Sequence, residues 1–238
     1  MKETAINVQI WKSYHDIVDI SLISPAGVQI GPIPEVIGTQ RFVVGDTEIL
    51  LYYGEPSPFH VSQEIFIEFL PKNSYITPGI WQFVLTPRKI VTGEYDLWLP
   101  SENVLNRGTA FRYPTERGTL TIPSTSQRVI SVGAYDSLTF AYADFSGRGG
   151  LEGESKPDLV APGVDITAPT PSGIYQTFTG TSFATPFVSG AAALMMEWGI
   201  VRGNDPYLYG EKVKAYLRRG ARPLPGFTEY PNPQVGYG

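Results

Sequence analysis

From Thr4 to Leu99 the chain carries no helical period, and this narrows the fold more than any other feature. Its apolar residues fall instead in short β-prone runs: Thr4–Trp11, Asp16–Ser24, Gln40–Val44, Thr47–Tyr53, Glu64–Leu70, Ile80–Thr86 and Gly93–Leu99. Between them lie Ser24-Pro25-Ala26-Gly27, Gly54-Glu55-Pro56-Ser57-Pro58 and Lys72-Asn73-Ser74, all turn chemistry. Within Gln63–Phe69, the residues Ile65, Ile67 and Phe69 share one face, as in a half-buried strand. Short strands with regular turn signals predict an all-β sandwich over residues 1–105. The 25 Gly, 21 Pro and 13% aromatic content agree with many turns and strand-rich packing.

After Asn106 the pattern changes, and residues 106–238 read as a second domain of α/β type. Thr119–Pro123 and Arg128–Tyr135 predict buried strands, and Phe145–Gly150 is a glycine-rich loop. A short strand, Asp158-Leu159-Val160, runs into Ala161-Pro162-Gly163. A helix is expected from Ser182 to about Trp198. Its small residues Ala184, Ser189, Gly190, Ala191, Ala192 and Ala193 predict burial on most faces. A second helix is expected from an Asp205 N-cap, with Pro206 in its first position, to Gly220. Tyr209, Val213, Tyr216 and Leu217 would form its apolar stripe, and Lys212, Lys214, Arg218 and Arg219 a solvated face.

The net charge of −5 and the absence of a basic run give no electrostatic footprint for nucleic acid or an anionic membrane. No stretch approaches the roughly 18 uninterrupted apolar residues of a membrane span. The most apolar helical candidate, Gly190–Val201, is interrupted by Glu197. Neither nucleic acid nor membrane is therefore an expected partner. Met1-Lys2-Glu3-Thr4 has no apolar signal-peptide core. With no Cys there is no disulfide, thiolate metal site or Cys nucleophile, and the compartment stays open. Asp144, Glu152, Glu154, Asp158 and Asp165 lack ordered ligand spacing and read as solvated loop acids, so no metal or cofactor is expected. Only two histidines occur, His15 and His60.

The chemistry concentrates between Phe178 and Ala193. Ser182 follows Gly180-Thr181 at a turn that opens the small-residue helix. A hydroxyl there either caps the helix or, beside unpaired backbone N–H groups, acts as a nucleophile whose oxyanion those groups stabilise. The run Gly-Thr-Ser-x-Ala-x-Pro-x-Val-x-Gly-Ala-Ala-Ala at 180–193 resembles the nucleophile signature of the subtilisin-like serine proteases, the subtilases. Val129–Asp136 is similar to the family's core strand, Lys156–Gly163 to its second landmark, and Tyr230–Gly238 to its closing segment. The blocks stand in the family's order and cover about residues 111–238.

The resemblance implies the C-terminal portion of a subtilisin-like, parallel-sheet α/β protease domain. It implies peptide-bond hydrolysis through an acyl-enzyme on Ser182, with the Ser182 N–H as one oxyanion donor and Thr181 and Gly180 shaping the turn. Pro123 matches a position where the family often has a cis peptide beside the specificity pocket, which Leu120, Thr121 and Ile122 would line. The implied partners are a protein or peptide substrate, the upstream half of the same protease and a propeptide. The implied location is secreted or spore-associated.

The departures matter equally. The mechanism needs a general base and an acid to orient it, and the family's Asp-Thr/Ser-Gly and His-Gly-Thr/Ser blocks are missing here. His15 and His60 sit in the β-rich region and read as structural or surface residues. The family's side-chain oxyanion donor is an Asn in an Ala-Gly-Asn block, a context that Asn103 and Asn106 lack. The chain therefore reads as a C-terminal piece of a longer protease, inactive alone. Residues 1–105 resemble the jelly-roll domain inserted in some subtilases of spore-forming bacteria, including germination proteases, with 80–87 and 93–100 similar to its closing strands. Two alternatives remain: a pseudoprotease serving as a binding or regulatory scaffold, and a β-sandwich binding module with a vestigial α/β tail. A protease core missing its first strands should also leave apolar surface exposed.

Overall fold

A computed structural model of the chain describes residues 2–101, 104–150 and 156–238. Asn103, Glu152 and Glu154 lie outside the described residues. The chain divides into two units, Met1–Arg112 and Tyr113–Gly238.

Among the described residues the first unit contains eight strands: β1 (Ile6–Ser13), β2 (Ile17–Ile23), β3 (Gln29–Ile33), β4 (Thr39–Val44), β5 (Thr47–Tyr53), β6 (Ser62–Pro71), β7 (Gln82–Lys89) and β8 (Tyr95–Trp98). They form a five-stranded sheet, β4-β5-β6-β1-β8, and a three-stranded sheet, β3-β2-β7. Every pairing in the two sheets is antiparallel. β3, which contains Pro32, was not expected; proline lowers its strand signal, and it lies at a sheet edge where a missing donor is tolerated.

Alternation builds the core. Val8 and Ile10, Ile49 and Leu51, and Ile65, Ile67 and Phe69 project from one sheet, and Ile20, Leu22 and Ile33 from the other, into one cluster. Each fully buried side chain of this kind contributes about 1.5–3 kcal/mol. Asp16, just ahead of β2, is buried, and its carboxylate accepts the backbone N–H groups of Val91 (2.6 Å), Thr92 (2.9 Å) and Gly93 (2.8 Å). Those bonds, Val91 first, hold its carboxyl below the usual carboxylate range.

The second unit contains β9 (Val132–Asp136), β10 (Ala141–Tyr142), β11 (Leu159–Pro162), β12 (Ile166–Pro169), β13 (Tyr175–Phe178), α1 (Thr181–Met196) and α2 (Gly210–Gly220). Among the described residues β9 and β11 form the one parallel pair, while β10 on β9 and β12 on β13 are antiparallel. The expected parallel α/β layer is thus reduced to two strands under one helix. Thr119–Pro123, expected as a buried strand, is a loop with Ile122 87% exposed, because no neighbouring strand pairs with it.

α1 continues through a π-helical turn, Glu197–Val201. The run Thr181–Val201 has 21 residues and an 18-residue window of mean hydropathy 1.2, long and apolar enough by length and composition to cross a membrane. The expectation that this helix is buried on most faces is overturned: within α1 only Ala184 and Val188 are buried. They pack with Ala134, Leu159 and Ala161 of β9 and β11, and Phe187, Leu194, Met196 and Trp198 stay about half exposed or more.

α2 begins four residues later than expected. Asp205 does not cap it; Asp205 pairs with Lys212 Nζ (2.6 Å), and Pro206 sits in a turn. The apolar stripe is only partly realised, since Val213 is buried while Tyr209 and Tyr216 are exposed. The basic residues of α2 are not all a solvated face either. Lys214 is buried, and it reaches the fully buried Asp158 at 3.1 Å, where Arg218 Nε donates at 2.8 Å to the same oxygen. The other carboxylate oxygen accepts Ser131 N–H at 2.6 Å and lies 3.8 Å from Lys156 Nζ. Asp158 therefore fastens α2 to the start of the β9 segment, a role its exposed-acid reading missed.

Candidate active site

Ser182 stands in the first turn of α1, exposed, with no side chain capping that end of the helix and no acidic residue in the turn. Among the described residues its hydroxyl has no hydrogen-bond partner. Phe183 N–H donates to Gly180 O at 3.0 Å, which leaves the Ser182 N–H and the positive end of the helix dipole to a developing oxyanion.

A short relay of backbone bonds sets this turn in place. Gly163 N–H donates to Tyr135 O at the end of β9 (3.0 Å), and Gly180 N–H donates to Gly163 O (2.8 Å). Gly163 has to be glycine: a Cβ there would lie 2.7 Å from Ala134 Cβ and 3.1 Å from Gly180 O, forcing the helix off the strands. Gly180 has φ 152°, a conformation that favours glycine, and it redirects the chain from β13 into the helix. Around it, Phe178 stacks on Phe183 at 4.8 Å, and Thr179 Oγ1 accepts Asp165 N–H at 3.0 Å. Asp165 holds φ 53°, a left-handed value that Asp tolerates better than most residues. Sequence reasoning passed over Gly163 and the Asp165–Thr179 pair; Gly163 lay inside the Ala161-Pro162-Gly163 motif, where its signal was readable.

Gly180, Thr181 and Ser182 are thereby brought into one turn. Leu120, Thr121 and Ile122 lie in a loop that no hydrogen bond among the described residues joins to it; Leu120 packs over Gly147, and the Ile122–Pro123 peptide is cis. Residues 113–238 contain no histidine. In the other unit, His60 Nδ1 is 2.6 Å from Ser62 O with its ring edge-on to Trp11, and His15 Nδ1 is 3.4 Å from Ser13 Oγ. Asn106 is held by Glu3, to which its backbone N–H and Nδ2 both donate at 2.7 Å.

The model of the subtilase family matches residues 113–238. The chain belongs to the subtilase family. Residues 113–238 therefore carry part of a subtilisin-like fold, in a family of serine proteases. A solved structure of the CspB protease of Clostridium perfringens is similar over 99% of this chain and 50% of that one, with a TM-score of 0.90 and 40% identity. An intracellular serine protease of Paenibacillus polymyxa is 38% identical over 105 residues, 42% of this chain and 30% of that protein. The serine protease AprX of Bacillus subtilis strain 168 is 35% identical over 123 residues, 43% of this chain and 26% of that protein. The subtilase chain spans half or less of the length of these relatives.

Proposed function

We propose that this subtilase chain is the Ser-bearing part of a serine endopeptidase acting on protein or peptide substrates. Ser182 Oγ attacks the scissile carbonyl while a base takes its proton, and the Ser182 N–H donates to the oxyanion. Collapse expels the amine and leaves an acyl-enzyme on Ser182, which water then hydrolyses. The observation that carries this reading is the uncapped, exposed Ser182 turn seated on the parallel β9–β11 pair.

The base and its acid come, in this reading, from the upstream half of the same protease, and the chain alone is inactive. Two features support it: the Ser182 unit contains no histidine, and α1 with the turn that continues it leaves Leu194, Met196 and Trp198 uncovered. The contact of Ala184 and Val188 with β9 and β11 favours a core helix over a membrane span. The sandwich is then a jelly-roll-like insert ahead of the Ser block, Leu120–Ile122 line the specificity pocket, a propeptide accompanies the enzyme, and it works outside the cell or in the spore.

Fluorophosphonate labelling tests this, with Ser182→Ala as control. The expected result is no label on this chain alone and Ser182-dependent label once the upstream half is added. Label on the chain alone would overturn the reading and make His15 or His60 the suspected base. No label with an upstream half that carries Asp and His would favour a pseudoprotease scaffold.

A further inference from the structure

The sandwich unit contains a cavity of about 380 Å³ at one end of its core, where the segment after β1 and the β3–β4 and β5–β6 connections converge. Tyr14, Glu35, Val36, Ile37, Pro56 and Gln63 form part of its wall. Gln63 is 2% exposed and stands on the inward face of β6. Its Nε2 donates to Glu35 Oε1 at 2.6 Å and to Gly54 O at 3.3 Å. Those two acceptors fix the orientation of the amide, because reversing it would set oxygen against oxygen. Gln63 Oε1 is consequently a buried acceptor, and among the described residues it has no partner. Buried polar atoms are nearly always satisfied, so this oxygen calls for a donor that the described residues do not supply.

The side-chain hydroxyl donors of the wall are already committed. Tyr14 O–H donates to Glu55 O, and Tyr53 O–H to Ile33 O at 3.3 Å. Acceptors remain: Gln63 Oε1 and the carboxylate of Glu35. Neither Glu35 nor Glu55 forms an ion pair among the described residues. The buried Lys12, whose charge acts on Glu35, donates instead to the carbonyls of Asp16 (2.8 Å) and Ser13 (3.4 Å). Burial, and then the charges of Glu35 and Glu55, push the Tyr14 phenol up, and burial with Glu35 pushes Tyr53 up to about 12. Val36 and Ile37, 51% and 77% exposed, leave apolar surface beside these acceptors.

A sugar needs side-chain donors as well as acceptors from its site, and here the side-chain donors are used up. What fits is a group that only donates, carries positive charge and has an apolar stem. We propose that this cavity binds the side chain of a lysine or arginine presented by a peptide. The cationic head takes Glu35 and Gln63 Oε1, and the methylene stem lies on Val36, Ile37 and Tyr14.

Saturation-transfer NMR on the full chain tests this, since it reads the ligand and tolerates self-association of the protein. The probes are Nα-acetyl-lysine N-methylamide, its neutral isostere Nα-acetyl-norleucine N-methylamide, and glucose. The lysine probe should give a saturable signal strongest on its side-chain methylenes, and the other two should give none. Glu35→Gln, a substitution in an exposed loop, should weaken binding by about tenfold. Equal signal from the norleucine probe, preference for glucose, unchanged binding by Glu35→Gln, or no saturable lysine signal would each overturn the proposal. Ser182 takes no part, so failure here leaves the protease reading untouched.

Discussion

In the sandwich unit the inward faces of two sheets meet in one continuous cluster, whereas in the Ser182 unit the longest helix buries two side chains and leaves a row of large apolar residues in water. The same chemistry, apolar residues at regular spacing, is resolved in the first and unresolved in the second. Its sheets close on each other, so every strand finds an antiparallel neighbour and the alternation has somewhere to point. The second unit is held differently: small residues let α1 lie close on β9 and β11, and a buried carboxylate with basic partners fastens α2. Packing the one against hydrocarbon and the other against charge makes them respond differently to mutation, pH and association.

The largest expected effect is Asp158→Asn. Removing the charge between Lys214 and Arg218 should destabilise the Ser182 unit by about 3–5 kcal/mol while the sandwich transition stays put, as a two-probe denaturant melt can check. A loss shared equally by both transitions would mean that the units melt as one.

A smaller effect is expected on the sandwich side. The carboxyl of Asp16 is held low by the Val91, Thr92 and Gly93 N–H groups, so its contribution is present above its unfolded pKa of about 3.9 and is lost as pH falls through the lower folded value. Asp16→Asn should therefore flatten the acid side of the sandwich stability curve and leave the Ser182 unit's curve as it was. A wild-type acid slope in the variant would break that assignment.

The smallest effect is on folding at the exposed face of α1. Leu194, 69% exposed, should tolerate Leu194→Asp within about 0.5 kcal/mol. The same substitution should lower self-association in sedimentation velocity, since it places charge in the middle of the apolar row. A strongly destabilised Leu194→Asp would show that this face is packed in solution.

Legibility in the sequence followed the range of the interactions. Thr47–Tyr53 was readable to the residue, because strand alternation bounded by turns is local. The start of the helix at Ser182, one residue from the observed Thr181, and the end of the second helix at Gly220 were nearly as readable. Thr119–Pro123 was not, since an apolar run becomes a strand only when a neighbour pairs with it. Lys214 looked like surface because its partner, Asp158, lies 56 positions earlier (214 − 158) and nothing local announces the pair.

By itself the sequence determined the alternation that makes the sandwich's inward face and the glycine-led start of α1, both consequences of short-range periodicity and backbone preference. Only the tertiary structure decided that Asp158 is buried among cations, that Gly163 carries the strand-to-helix approach, that Gln63 holds an unanswered acceptor, and that α1 stays largely uncovered. Each of those depends on which distant segment arrives beside it, and that is settled by packing in three dimensions.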